Sequence, residues 1–118
     1  MSTQDEKEVS RLKQINEELL AACEAHAAWA WAEHNHAQAT FHERMELSQY
    51  AEWLTQRALL VAAGCNPESE KYRGVPQLIV WPGVNLTRIG ADDARMLVSR
   101  LLAAYRAAIA KAEGRTTP

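Results

Sequence analysis

The chain has 118 residues, a net charge of −2, and 47% hydrophobic against 24% charged residues. That length suits one domain rather than two, and a chain of this size buries roughly 65% of its unfolded surface without a staple. The apolar share excludes disorder of the whole chain. The lack of a basic surplus, with Lys and Arg scattered, disfavours direct nucleic-acid binding, which depends on displacing counterions from phosphates.

The start, Met1 to Glu8, is polar and mixed in charge. It has no apolar core of a signal peptide, and no window approaches about 20 uninterrupted apolar residues. A cytoplasmic protein with no membrane partner is expected. Cys23 and Cys65 stand in no metal or redox spacing.

The first helix is expected at about 4–34. Thr3 and Glu6 fit a capping box, and acidic residues crowd the positive end of the dipole. Leu12, Ile15, Leu19, Ala22, His26 and Trp29 recur at steps of three and four, the seam of a coiled-coil-like helix. Alanines around it leave room for a partner helix. No Gly or Pro falls between Leu12 and Ala63, so the alternative is one unbroken helix of roughly 75 Å. A turn between His34 and Thr40 is the preferred reading, because Thr40 and Glu43 offer a second capping box. The second helix follows at about 41–63 with Leu47, Ala51, Leu54, Ala58 and Val61 as its seam. Gly64 then caps it and Asn66-Pro67 prevents continuation.

Past a polar connector the period changes. Gln77 to Trp81 is a short β-rich run, Pro82-Gly83 is a turn dipeptide, and Val84 to Thr87 alternates apolar with polar, predicting a β-hairpin at about 77–89. Asp92 and Asp93 open a third helix at about 91–113, with a wide apolar face that includes Leu97, Val98, Leu101, Leu102 and Tyr105. Residues 115–118 form a frayed tail. The expected class is mainly α: an antiparallel helical hairpin, a short β-hairpin and a C-terminal helix, in a single domain over 1–118.

His34, His36 and His42, with Glu33, Glu43 and Glu46 nearby, are ligand types that zinc prefers. A turn at Asn35 would let them face one another, but His34 and His36 are about 200° apart on a continuous helix. Solvated histidines at an interhelix turn are the simpler reading. Cys23-x-x-His26 puts a thiol and an imidazole one turn apart, for which packing at a helix–helix contact is the ordinary explanation. Asp92 and Asp93 suit the helix dipole rather than acid–base chemistry. No phosphate loop, nucleophile elbow or H-E-x-x-H pattern is present. Trp29, Trp31, Trp53 and Trp81 are a heavy aromatic load, and tryptophans are favoured interface anchors.

Two segments, Ile15-Asn16-Glu17-Glu18-Leu19-Leu20-Ala21-Ala22 and Tyr105-Arg106-Ala107-Ala108-Ile109-Ala110-Lys111-Ala112-Glu113-Gly114, resemble the ends of small uncharacterised proteins encoded by phages and prophages. The resemblance implies an accessory product of a mobile element that acts by binding. It carries over no catalytic residue.

The expected function is therefore non-enzymatic: a protein-binding or adaptor protein, a homodimer through the Leu12–Trp29 seam, without a cofactor. Its interface residues would be Leu12, Ile15, Leu19, Trp29, Trp31 and Trp81. The alternative is a zinc-binding protein or small metal-dependent hydrolase built on His34, His36 and His42. A nucleic-acid-associated factor stands third, disfavoured by charge.

Overall fold

The computed structural model describes residues 3–72, 75 and 90–113. Three α-helices make up the described fold: α1 (Thr3–His34), α2 (Phe41–Ala62) and α3 (Ala91–Ala112), with a 3₁₀ turn at Glu70–Tyr72.

Local chemistry fixes the helix ends. The Asn35 side chain donates to the Trp31 carbonyl at 2.7 Å, satisfying an oxygen orphaned at the end of α1. At the start of α2 the Glu43 amide donates to the Thr40 hydroxyl and the Thr40 amide to the Glu43 carboxylate, both at 3.1 Å. These reciprocal bonds make a capping box. They also lower the Glu43 pKa below its ordinary value, chiefly through the Thr40 backbone bond. The break between α1 and α2 is thus written into Asn35, Thr40 and Glu43. At the far end Cys65 N–H bonds to Leu60 O and Gly64 N–H to Val61 O, a Schellman closure with Gly64 at φ +82°.

α1 and α2 run antiparallel. Contacts progress from Glu33–Arg44 beside the turn, through Glu18–Arg57, to Arg11 and the Ala62 carbonyl at the open end. The core joins Ala22, Ala25, Ala28 and Ala32 of α1 to Leu47, Tyr50, Ala51 and Leu54 of α2 and to Leu97, Val98, Leu101, Leu102 and Tyr105 of α3. The alanines are at most 6% exposed. With almost no side chain at those positions, two helices approach α1 closely at once. Between α2 and α3 the Tyr105 ring meets Tyr50 edge-on at 5.8 Å and Trp53 at a tilt at 5.6 Å, and burial pushes the Tyr50 hydroxyl up to about 12.

Two expectations need correction. The described residues hold three helices and no strand, so the expected α+β class gives way to an all-helical one. The physical reason is that three apolar helix faces close one core among themselves, whereas an isolated two-stranded hairpin is marginal in water. Residues 77–89, to which the hairpin was assigned, and Trp81 with them, lie outside the described residues. The second correction concerns the seam of α1. The packed line runs through Glu18, Ala22, Ala25, Ala28 and Ala32, while Leu12 and Leu19 are 49% and 47% exposed.

Gly64 has open space where a Cβ would stand, so a side chain there meets only backbone strain. Gly64→Ala is expected to lower stability by about 1–2 kcal/mol, read from the urea midpoint with an unchanged slope.

Candidate interaction surface

α1 is longer than the hairpin it builds. Its 32 residues span about 48 Å against about 33 Å for the 22 of α2. Residues 4–14 are exposed at every position, so the first turns of α1 have no covering element among the described residues. Val9, Leu12, Leu19 and Leu20 are 44–53% exposed. At about 100° per residue they fall on the side of α1 opposite Ala22, Ala25 and Ala32. α1 therefore carries two apolar stripes: one of alanine packed into the core, and one of larger side chains facing water. Phe41, Leu59 and Met96 are further exposed apolar groups on α2 and α3.

Behind this face lies a buried ionic cluster. Arg57 Nε donates to both carboxylate oxygens of Glu18, at 3.2 and 3.0 Å, and Arg57 Nη1 lies 2.7 Å from Glu68. Glu18 is 2% exposed. Burial raises its pKa from the ordinary 4.5, and Arg57 only partly offsets that. One guanidinium thus holds α1, α2 and the connector after α2 together. A second clip joins α2 to α3: Arg106 donates from Nε and Nη2 to the two oxygens of buried Glu46, each at 3.0 Å. That bidentate bond raises the Arg106 pKa. Arg95 lies 3.5 Å from Glu43.

An open cleft of about 380 Å³ sits at the mouth of the hairpin, lined by Arg11, Gln14, Val61, Gly64, Cys65, Asn66 and Pro67. The Arg11 guanidinium there donates to the Ala62 carbonyl at 3.2 Å and lies 3.5 Å from Glu8. Both cysteines are free thiols, Cys23 exposed and Cys65 half-buried.

The residues singled out from sequence fall as follows. Leu12 and Leu19 are exposed, Ile15 is half-buried, and Trp29 and Trp31 are half-buried against the core. Trp29 also donates to Glu33 at 3.2 Å. His34 ends α1, His36 lies in the turn, and His42 sits in the first turn of α2, 3.4 Å from Glu46. The three histidines are exposed. Among the described residues no three His, Cys, Asp or Glu side chains come together as a metal-holding group. His26 bonds to Thr55 at 3.0 Å. The Thr55 hydroxyl already gives its proton to the Ala51 carbonyl, so the imidazole Nε2–H donates.

Sequence reasoning missed Val9 and Leu20 on the outer stripe and the whole Glu18–Arg57–Glu68 cluster. The first pair carried a signal, since Val9 and Leu20 flank Leu12 and Leu19 on one side of the wheel. The cluster carried half of one, because Arg57 lies on the same apolar line as Leu54, Ala58 and Val61.

No helix of the described residues is long and apolar enough to cross a membrane. No protein-family model matches the chain, and comparison with curated proteins and with solved structures finds no similar one.

Removing Arg57 leaves Glu18 buried without its main cation. Arg57→Met is expected to cost about 3–5 kcal/mol at pH 7. A carboxyl whose folded pKa is raised contributes stability that is full below its unfolded value of 4.5 and lost as pH rises through the folded value. The deficit of Arg57→Met should therefore shrink between pH 7 and pH 5, as Glu18 takes up a proton. Urea denaturation at the two pH values measures it, and an equal deficit at both would refute the assignment.

Proposed function

We propose that this chain is a non-enzymatic protein-binding or adaptor protein that uses the outer stripe of α1 and associates with itself there. The observation that carries this reading is the double-faced α1. A helix with apolar residues on opposite sides suits burial on both, and among the described residues nothing covers one side of α1. Val9, Leu12, Leu19 and Leu20 are large apolar side chains that share one side of the helix, with Asn16 between the two pairs, and not the single scattered residues that any surface shows. Charged neighbours at Glu8, Lys13 and Glu17 supply the polar rim that reversible interfaces carry. The absence from the sequence of a catalytic template agrees with a binding role. A mobile-element origin rests on the two alanine-rich segments alone and would place the partner among host proteins.

Leu19 is half-exposed, so its replacement need not disturb the core. Light scattering at micromolar concentration should report a species larger than the 13.2 kDa monomer. Leu19→Asp should return it to the monomer with unchanged helical circular dichroism. A wild-type chain that stays strictly monomeric removes the self-association half of the proposal.

A further inference from the structure

The self-association reading leaves open which helix meets which and in what direction. The outer stripe of α1 answers both. In heptad terms Val9, Asn16 and Cys23 take position a, and Leu12 and Leu19 take position d. Lys13 and Leu20 then take e, and Glu8 and Ile15 take g. Every one of these side chains except half-buried Ile15 is exposed. A β-branched residue at a with leucine at d favours a two-stranded parallel coiled coil, and a single asparagine at a fixes register and strand number. Val9, Leu12, Asn16 and Leu19 follow that pattern in order.

Charge selects the same direction. In a parallel pair, position g of one helix faces position e of the next heptad on the other. Glu8 then faces the partner's Lys13, twice by symmetry, and Ile15 faces the partner's Leu20. Turning one helix around, with Val9 against the partner's Leu19, brings Lys13 beside the partner's Lys13 and pairs like charges. The zipper also has a natural end. His26, at the next d position, is bonded to Thr55 of its own chain, so among the described residues the stripe lies open from Val9 to Cys23, about 21 Å of helix. Its first part coincides with the stretch of α1 that is exposed at every position.

Resting on the self-association proposed above, we infer that the occupant of this stripe is α1 of a second copy, parallel and in register, with Asn16 paired to the partner's Asn16. The two-fold axis runs along the zipper, so the contact is isologous and closes as a dimer.

The full-length chain carrying Cys65→Ser keeps one thiol, Cys23, at the last a position. A short bis-maleimide should convert it to a covalent dimer in high yield at micromolar concentration. Leu12→Asp in the same background should abolish the product while circular dichroism shows the helices intact. Glu8→Lys should reduce the yield, and Glu8→Lys with Lys13→Glu should restore it. A dimer by light scattering that fails to cross-link overturns the parallel register and leaves self-association standing. A monomer by light scattering overturns both. Failure of the charge swap to restore cross-linking overturns the pairing of Glu8 with Lys13.

Discussion

The face of α1 that bears Ala22, Ala25, Ala28 and Ala32 sets the spacing on which the rest of the structure depends. Because those positions hold a single methyl each, the large side chains at the contact come from the other two helices: Leu47, Tyr50 and Leu54 from α2, and Leu97, Val98, Leu101 and Tyr105 from α3. Helix axes packed through alanine approach more closely than axes packed through leucine. That closeness brings Arg57 of α2 within hydrogen-bond reach of Glu18 of α1. Bulk at any of these alanines would force the helices apart and cost about 1–3 kcal/mol through overpacking.

The same constraint explains the surface. A helix that gives alanine to the core has its leucines elsewhere, and in α1 they lie on the opposite side. The molecule therefore separates two tasks along one helix. From Glu18 to His34 the helix is built into the core, and its first turns project past the mouth of the hairpin, where Arg11 reaches the Ala62 carbonyl. The buried cluster marks the boundary between them. Arg57 is shared by two carboxylates, so the cluster stays ordered at a desolvation cost expressed in the raised Glu18 pKa.

Much of the helical layout was legible because the signals that set it are local. Thr40 with Glu43 marks the start of α2, Gly64 marks its closure, and Asp92 and Asp93 mark the first turn of α3. The packed seam of α1 was not legible, and the reason is specific. In an alanine-rich helix the periodicity of leucine stands out most, yet here it traces the water-facing side, while the buried line is disguised by Glu18 among alanines. The β-hairpin was inferred from a change of period over residues 77–89, which lie outside the described ones, and the described residues form helices without a strand. Of the candidate site, Leu12 and Leu19 were found by spacing, as members of a self-association seam, and both are exposed. Glu18, Arg57 and Glu68 were not found, since only the antiparallel return of α2 brings them together. The histidines at the turn drew attention by composition, but their positions at a helix end, in a turn and in a first helical turn hold them on separate local frames.

The exposed first turns of α1 extend a helix that is already nucleated but gain no tertiary packing among the described residues, so they should fray unless something lies against them. Amide hydrogen exchange at two protein concentrations tests this most directly. If the first half of α1 is covered by a second copy, protection in residues 4–21 rises with concentration, while residues 22–34 exchange at the same rate in both samples. Protection in residues 4–21 that does not change between a few micromolar and a few hundred micromolar would contradict the account.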